Sequence, residues 1–592
     1  MILQVLVEYF RRLESEGKVV PPGFQRLDIP FLIELDKDGR FLGLLDTREK
    51  VGKKLIARAF QVPQEQSRTG RNGWMKANLL WDHAGYVLGA PKSDDPKDVE
   101  MARKQHGTFC ADVSVLAARF PEESGVQAVW RFLQKTDFQE VLSHPLWKEC
   151  EKIAGCRLSF LLHGESELVC ASPALRAYVT EQDAEGGEDA ESGESEGDAM
   201  DGLCLVTGLR GPLARVHLRT PVPGGNSSGK LVGFQRNSGY DSYGKEQSFN
   251  APVSKLAAFQ YAQVLNDLLG KQSNNKFSLA DATVVFWGSE ANELEDVLAN
   301  ILKEPVKENP EISAQALRAL YRSPETGQRP LDEDLTRFFI LGLSPNAARI
   351  SVRFWYMGTV GEVARNIRRH FDDLELVHGS KQPEHLSLFR LLISIAPQGK
   401  SENIPPNLAG ELMRAIVQGT PYPRSLLGAV LRRCRAEQGN EMGNVTYPRV
   451  ALIKAILNRE SRHFHRDEKE VSMALDQENT NIGYRLGRLF AVLEKIQEEA
   501  SPGLNATIRD RFYGAASGTP VTAFPHLMKL KNHHVSKLEN RGRAVNLERM
   551  ISEIMQGIDD FPPHLGMPDQ GRFAVGYYHQ RQAFFTKNEG KE

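Results

Sequence analysis

The stretch FFILGLSPNAARISVRFWYMGTVGEVARNIRRHFDDLEL, residues 338–376, decides the fold class of this 592-residue chain. From residue 349 to residue 356 the side chains alternate with the period of a strand that has one buried face. The set expected to be buried is Ile350, Val352, Phe354 and Tyr356, and the other set is Arg349, Ser351, Arg353 and Trp355. We expect this strand to carry Arg349 and Arg353 on its outer face. The helix that follows it carries a basic cluster of Arg365, Arg368 and Arg369.

On the C-terminal side of this stretch, from about residue 385, the pattern is almost wholly helical. Amphipathic segments joined by short loops predict an α-helical bundle. The basic side chains of this region fall into two clusters, namely Arg432, Arg433 and Arg435, and then Lys529, Lys531, Arg541 and Arg543.

On the N-terminal side the pattern mixes helices and strands. Residues 1–17 have a helical period, which favours a folded helix over a secretion signal. Residues 29–45 predict a β-hairpin that turns at Asp38-Gly39, and residues 79–89 resemble a second hairpin. Short strands are expected at residues 203–209 and 214–220. The fold class is therefore α+β: a mixed α/β N-terminal region with β-hairpins, followed by a C-terminal α-helical bundle.

Charge is segregated along the chain. Residues 181–201 contain ten acidic residues and neither Lys nor Arg, whereas the whole chain has a net charge of −2. Such a Gly- and Ser-rich tract predicts a disordered insertion. We predict a mixed α/β domain in two parts, residues 1–180 and 202–380, separated by this insertion, and a helical bundle at residues 381–592.

Residues 224–261 contain a glycine-rich, mildly basic loop that carries interleaved aromatic residues and leads into an amphipathic helix. Glycine lets a backbone approach a ligand closely, cations attract phosphates, and aromatic rings offer faces on which bases stack. The composition favours a nucleic-acid contact, although a flexible surface loop with aromatics packed beneath it explains it as well. The candidate residues are Lys230, Arg236, Asn237, Tyr240, Tyr243, Lys245 and Gln247.

A second basic loop with glycines lies near residues 70–76 and offers Arg71, Asn72, Trp74 and Lys76. Asn and Gln pair with adenine, whereas Lys and Arg favour guanine or phosphate. We therefore expect base contacts from Asn72, Asn237 and Gln247, and backbone contacts from the cations. Ordinary loop polarity is the alternative interpretation.

The sequence offers little sign of catalysis. Gly224-x-x-x-x-Gly229-Lys230 matches a phosphate loop except that Leu231 replaces the hydroxyl residue that holds magnesium. Neither H-E-x-x-H nor G-x-G-x-x-G occurs in the sequence, and its densest histidines have no acidic ligands in helical register. We expect a binding protein rather than an enzyme, without a catalytic residue, metal or cofactor.

The cysteines and the hydropathy of the chain indicate its cellular setting. Its six cysteines are scattered, with no C-x-x-C pair, which predicts buried thiols in a reducing, cytoplasmic setting. Because no run approaches 18 apolar residues, we expect no membrane partner.

Three segments carry a resemblance to a known family. They are PPGFQRLDIPFLIELDKDGRF at residues 21–41, FNAPVSKLAAFQYAQVLNDLL at 249–269 and SPNAARISVRFWYMGTVGEVARNIRRHFDDL at 344–374. Together they resemble the large subunit of the type I-C CRISPR surveillance complex, Cascade, with the same order and spacing. With the helical C-terminus, the likeness extends over essentially the whole chain.

The resemblance implies a non-catalytic subunit in antiviral defence. Such a subunit recognises the protospacer-adjacent motif in double-stranded DNA, promotes duplex opening and R-loop formation, and recruits a separate helicase-nuclease. The implied partners are the CRISPR RNA, the Cascade backbone, RNA-processing and small subunits, and the displaced DNA strand beside the bundle. It also implies that residues 473–592, starting at Met473, are made separately as the small subunit.

Two other functions remain open at this point. One is an autonomous nuclease or ATPase acting on DNA, and the other is a scaffold whose arginines contact only proteins.

Overall fold

The computed structural model describes the chain except for residues 52–53, 67, 69–71, 136, 187–199, 236–238, 240, 305–311, 322–330, 347–348, 437–443, 466, 505 and 586–592. The chain forms two compact units. The first comprises Met1–Leu218 and Gly233–Asp267, and the second Arg219–Val232 and Leu268–Glu592.

The first unit combines short strands with helices. Its strands are β1 (Phe24–Asp28), β2 (Phe31–Leu35), β3 (Phe41–Asp46), β4 (Arg48–Val51), β5 (Lys54–Ala57), β6 (Ala59–Pro63), β7 (Trp81–His83), β8 (Arg157–Leu162), β9 (Asp201–Leu203) and β10 (Arg210–Pro212). Its helices are α1 (Ile2–Ser15), α2 (Ala84–Val87), α3 (Pro96–Arg119), α4 (Ser124–Leu133), α5 (Gln139–Leu142), α6 (Trp147–Glu151), α7 (Pro173–Gly186) and α8 (Lys255–Leu269), whose last two residues fall in the second unit.

The core of the first unit lies on a four-stranded sheet in the order β3-β2-β8-β7. β2 and β8 are parallel, with Phe31 opposite Leu158, while the other pairs are antiparallel. Apolar side chains of β2 and β8 are fully buried with Phe109 of α3 and Phe132 of α4. The apolar side chains of the two central strands therefore pack in one core with helices.

The first predicted hairpin is confirmed, because β2 and β3 pair across the turn at Gly39, where φ is +78°. The second prediction was wrong, since β7 continues into α2 at residue 84. The His83 ring accepts a hydrogen bond from the Gly85 N–H at 3.2 Å and caps this short helix. Side-chain capping competes with a hairpin turn, and the pattern of apolar residues does not reveal it.

The strands predicted around the acidic tract also differ. Residues 204–209 form a turn closed by the Cys204 N–H and the Leu209 carbonyl, at 2.9 Å, instead of continuing β9. Residues 214–220 belong to no strand. The acidic tract begins inside α7, and its residues 187–199 lie outside the described residues. The predicted division into four segments remains a prediction.

The second unit contains a four-stranded sheet and a large set of helices. Its strands are β11 (Lys276–Leu279), β12 (Ala282–Gly288), β13 (Arg337–Asn346) and β14 (Arg349–Thr359). Its helices are α9 (Glu293–Leu302), α10 (Ile312–Tyr321), α11 (Val360–Leu374), α12 (Leu388–Ile395), α13 (Pro406–Gln418), α14 (Arg424–Ala436), α15 (Tyr447–His463), α16 (Ile482–Ala500), α17 (Ile508–Gly518), α18 (Pro520–Val535), α19 (Arg541–Met555) and α20 (Met567–Ala583).

The sheet is antiparallel, in the order β11-β12-β13-β14, and the strand and helix predicted for residues 349–374 are confirmed as β14 and α11. Thr359 and Glu362 form a capping box that starts α11 directly after β14. Phe354 and Tyr356 are buried in the same core as the apolar side of α11. The α+β class, with a helical C-terminal region, is thus observed.

A buried ion-pair network holds α15 against α11. The Nε of Arg459 donates to Asp373 at 2.6 Å, and Arg462 also pairs with this carboxylate. Lys454 donates to the Asp373 carbonyl at 3.0 Å. Arg459 and Asp373 are almost fully buried, so each charge depends on the other for stabilisation.

Helices α16 and α20 approach each other through glycines. A Cβ atom at Gly487 of α16 would lie 2.0 Å from the Phe573 carbonyl oxygen, and one at Gly576 of α20 would lie 2.1 Å from the Tyr484 carbonyl oxygen. Only glycine permits this separation between the backbones. The two helices therefore form the closest packed pair described in the bundle.

Candidate nucleic-acid interface

The loop at residues 72–78 in the first unit is held from beneath by Arg68. The Arg68 guanidinium pairs with the buried carboxylate of Asp82 and donates to the Lys76 carbonyl at 2.8 Å. It also lies 4.1 Å from the centre of the Tyr86 ring, whose hydroxyl donates to the Trp74 carbonyl at 3.1 Å. These contacts connect the backbone of residues 74–76 to β7 and α2.

The predicted contact residues of this loop differ in their exposure to solvent. Asn72 is exposed, whereas Trp74 and Lys76 are half-buried, and the Lys104 ammonium lies 6.0 Å from the centre of the Trp74 ring. Arg71 lies outside the described residues. Arg68 was missed by the sequence analysis because its role depends on Asp82, which is distant in sequence.

A second supported loop contains a tight turn at residues 242–245. The Lys245 N–H donates to the Ser242 carbonyl at 2.9 Å, and both central residues, Tyr243 and Gly244, have positive φ, +53° and +71°. Two positive φ values define a type I′ turn, and the first is unfavourable for tyrosine. The Tyr243 side chain is 100% exposed at its tip, and Lys245 beside it is exposed.

Asn250 holds this turn in shape. Its amide donates to the carbonyls of Lys245 and Gln247, both at 3.0 Å, and its side-chain oxygen accepts from the Ser242 hydroxyl at 3.0 Å. We call residues 241–250 the tyrosine turn. Asn250 was not among the predicted site residues, and an Asn after a Tyr-Gly turn offers only a weak sequence signal.

Gln247 serves the internal structure of the same loop. Its side-chain oxygen accepts from Arg215 at 3.0 Å, and its N–H donates to Asp241 at 3.0 Å. A base contact by Gln247 would have to replace the first of these bonds. The predicted residues Arg236, Asn237 and Tyr240 lie outside the described residues.

Lys230 belongs to the second unit, in the segment Arg219–Val232. The Thr220 N–H donates to the Gly229 carbonyl at 2.7 Å, and the Thr220 hydroxyl accepts from the Leu231 N–H at 2.7 Å. The segment lies against the β13–β14 hairpin, because a Cβ at Gly225 would lie 3.0 Å from Pro345. Lys230 is half-buried there.

The same segment contains a serine in a spacing that is known from catalytic sites. Gly225-x-Ser227-x-Gly229 has the G-x-S-x-G form, as do residues 193–197, which lie outside the described residues. A nucleophile elbow needs a strand before the serine and a helix after it. Residues 219–232 form turns and loops, and no helix begins at Lys230.

Cations of β14 and α11 are mostly at the surface. Arg349 at the hairpin end is exposed, while Arg353 pairs with Asp281 of the β11–β12 turn. On α11, Arg365 and Arg369 are exposed and Arg368 is half-buried. Their spacing of three and four residues places them on one side of the helix.

Three of the bundle cations contact polar side chains of the same unit. Arg435 donates to Gln570 at 2.6 Å, Lys531 pairs with Glu548 at 3.1 Å, and Arg543 pairs with Glu499 at 2.9 Å. Hydrogen bonding from Arg543 lowers the pKa of Glu499. Arg432, Lys529 and Arg541 are exposed, and Arg433 is half-buried.

The described residues contain no cluster of three or more His, Cys, Asp or Glu side chains able to hold a metal ion. Their cysteines are free thiols, all buried except Cys110, which is half-buried. Of the helices in the described ranges, none has the length and apolarity that a membrane crossing requires.

The described residues thus include two loops with internal side-chain support and several exposed cations. Comparison with protein families gives the class of this protein: the family CRISPR-associated protein (Cas_Csd1) matches residues 6–585. The chain therefore belongs to this CRISPR-associated family. A comparison with curated proteins gave no match.

Proposed function

We propose that this chain is the non-catalytic large subunit of a type I-C CRISPR RNA-guided surveillance complex. In this proposal it recognises the protospacer-adjacent motif in double-stranded DNA, promotes duplex opening and R-loop formation, and recruits a separate helicase-nuclease. Membership of a CRISPR-associated family supports this assignment.

The observation that carries the proposal is the tyrosine turn. A fully exposed aromatic ring at the tip of a type I′ turn has no packing role, yet the Asn250 side chain supports the turn that presents it. This side chain donates to two backbone carbonyls and accepts from the Ser242 hydroxyl. Stacking on an aromatic side chain contributes about 1–3 kcal/mol per base and requires no particular base. Tyr243 is suited to stack on a base at the point where the duplex opens.

The neighbouring residues supply the other contacts. Lys245 is suited to hold a phosphate next to the stacked base, and Asn72 is suited to read a base edge in a groove. Phosphate contacts fix the position of the protein on the duplex, and base contacts give the preference for the flanking motif. Trp74 and Lys76 contribute mainly by shaping the loop that presents Asn72.

The surface cations of the second unit fit a backbone contact. Arg349, Arg365 and Arg369 are suited to bind the guide RNA or a neighbouring subunit. Arg432, Lys529 and Arg541 are suited to hold the displaced strand, where attraction to phosphates is sufficient. Lys531 and Arg543 are weaker candidates because each already pairs with a glutamate.

The same proposal assigns residues 473–592 to a separately made small subunit. Met473 is exposed and precedes α16, and aromatic residues of α17, α18 and α20 pack around Phe490 of α16. Intact-mass analysis of the purified complex is expected to reveal a species that begins at Met473. A complex without any species starting near this residue contradicts the assignment.

The main experiment measures duplex binding by the reconstituted complex, with and without the preferred flanking motif. Tyr243→Ser, Lys245→Ala and Asn72→Ala are expected to weaken binding while RNA-guided assembly stays intact. Asn72→Ala should relax the preference at one base, whereas Lys245→Ala should weaken all sequences alike. Lys148→Ala, at an exposed lysine outside both loops, is the matched control.

The experiment also separates the other functions. A scaffold that contacts only proteins predicts unchanged duplex affinity for all three variants. An autonomous nuclease or ATPase predicts cleavage or ATP turnover by the isolated chain that depends on a divalent cation. Either result would overturn the proposal.

A further inference from the structure

A cavity of about 310 Å³ lies within the second unit, at the edge of its sheet. It is lined by Pro223, Ser273, Lys276, Phe277, Ser278, Thr283 and Lys303. Its volume is at the lower end of the range for small-molecule sites, which gives room for a phosphate and its sugar. The cavity is therefore larger than a single ion requires.

The lining has the chemistry of an anion site. Two lysines and three hydroxyl-bearing residues line the cavity, and the described residues of its lining include no carboxylate. β11, which contributes Lys276 to Ser278, is the edge strand of its sheet. An edge strand presents backbone N–H groups on its open side, and these also bind anions.

Lys276 is held in place at this site. Its ammonium donates to the Leu269 carbonyl at 2.8 Å, which fixes the long side chain and leaves other N–H donors. Burial, and then the charge of Lys271, lower the pKa of Lys276. A bound anion would offset both effects, because it would compensate the charge that burial and the neighbouring lysine disfavour.

Lys303, at the end of α9, supplies the second positive charge at the cavity. It follows the last residue of α9 and its side chain is exposed. A lysine at a helix C-terminus also interacts favourably with the helix dipole, so its position alone does not identify a ligand. The observation that favours an anion is that Lys303 and Lys276 line the same cavity.

We propose that this cavity binds a phosphodiester group of single-stranded nucleic acid without reading the base. Among the described residues, the lining offers no Asn, Gln or Arg for a base edge, and its aromatic residue, Phe277, is 5% exposed and so unable to stack on a base. Pro223 belongs to the same segment of the second unit as Lys230, which adds a further cation to this part of the chain. The inference rests on the proposed function, since it adds one backbone subsite to it.

The test measures binding of the full chain to labelled 15-nucleotide RNA, DNA of the same sequence, and duplex DNA, each across a salt series. Lys303→Gln is expected to weaken single-strand binding by about fivefold and to reduce the slope of log K against log salt by about 0.7, the value for one lost phosphate contact. Ser278→Glu, which places a carboxylate at the exposed rim, should weaken it further. Lys400→Gln and Ser380→Glu are the matched controls, at exposed positions outside the cavity.

The three probes identify the source of the phosphate. A larger loss for RNA assigns the site to the guide, a larger loss for single-stranded DNA assigns it to a target strand, and equal losses assign it to the backbone that both share. Unchanged affinity and slope for Lys303→Gln and Ser278→Glu, or no single-strand binding by the unsubstituted chain, overturns the inference. The flanking-motif preference tested through Tyr243 and Asn72 is a separate readout, so either idea can fail alone.

Discussion

The tyrosine turn and the α16–α20 pair use glycine in opposite ways. In the turn, Gly244 has a positive φ and helps to place an aromatic ring in solvent. In the helix pair, Gly487 and Gly576 remove side chains so that two backbones meet. The turn therefore exposes a side chain to solvent, whereas the helix pair buries backbone against backbone.

The polar groups of the two regions also differ in their exposure to solvent. The bundle buries Asp373 with Arg459 and satisfies these charges inside the protein, whereas the tyrosine turn uses its internal hydrogen bonds to leave Tyr243 and Lys245 exposed. The comparison teaches that substitutions in the bundle should change stability, while those in the turn should change binding.

The largest stability effect is expected from Asp373→Ala. Removing this carboxylate leaves the buried Arg459 charge without its partner, which should cost about 4 kcal/mol in the free energy of unfolding. Denaturant unfolding of the full chain checks this value. Asp559→Ala, at an exposed aspartate, should cost less than about 0.5 kcal/mol, and equal effects at both sites would contradict the comparison.

A somewhat smaller loss is expected from Gly487→Ala. Its Cβ would meet the Phe573 carbonyl oxygen at 2.0 Å and the Tyr577 nitrogen at 2.8 Å, so α16 and α20 must separate. We expect a loss of about 3 kcal/mol.

The matched control for this prediction is Gly514→Ala in α17. A Cβ at Gly514 meets nothing within 4 Å, so the higher helix propensity of alanine should add about 0.5–1 kcal/mol. Thermal unfolding of both variants should therefore shift the melting temperature in opposite directions. A shift of the same sign for both would show that the close backbone contact is unimportant.

Buried histidines should make the bundle sensitive to acid. Burial lowers the pKa of His579 to about 4, and it lowers that of His370 well below the usual value. The unfolded chain, with a histidine pKa near 6.5, binds protons first as the pH falls, so stability is complete above about 6.5 and declines towards about 4.

His579 alone should account for about 3 kcal/mol of this decline, since each pKa unit corresponds to about 1.4 kcal/mol. Urea unfolding of the full chain between pH 4.5 and pH 7.5 measures it. His579→Gln should flatten the profile, and His533→Gln, at an exposed histidine, should leave it unchanged. A profile that is equally steep for His579→Gln refutes the assignment to this residue.

Substitutions of Tyr243 should change the free energy of unfolding least and reduce duplex binding most clearly. Tyr243→Gly relieves the positive φ and should raise stability by about 0.5 kcal/mol, because glycine adopts this conformation readily. Tyr243→Ala removes the ring and keeps the strain, so it should not gain stability. Both variants should lose duplex affinity, and retention of full affinity by either would separate the ring from DNA recognition.

Much of the fold follows from local patterns. The alternation at residues 349–356 and the Asp38-Gly39 turn specify strands and a hairpin, and the helical periods after residue 385 specify the bundle. The His83 cap and the close contact at Gly487 could not be predicted, because each depends on atoms whose position is known only in the folded chain.

The candidate site was predictable in composition but not in arrangement. The sequence indicated an aromatic, glycine-bearing basic loop, and Tyr243 and Lys245 are exposed in it. It did not reveal that Lys230 lies in another unit, that Gln247 bonds Arg215, or that Arg353 pairs with Asp281. These arrangements depend on partners far away in sequence.

The route of the chain between its two units has a practical consequence for making fragments. The first unit includes α8 residues such as Tyr261, whose hydroxyl lies 2.6 Å from the His217 ring, and Phe259, whose ring meets that of Phe10. An expression product that stops at residue 218 would lose both contacts and should be insoluble or poorly folded. A workable truncation has to run to at least residue 267 and so carries residues 219–232 with it, which makes limited proteolysis a better guide to fragment design than the linear order of motifs.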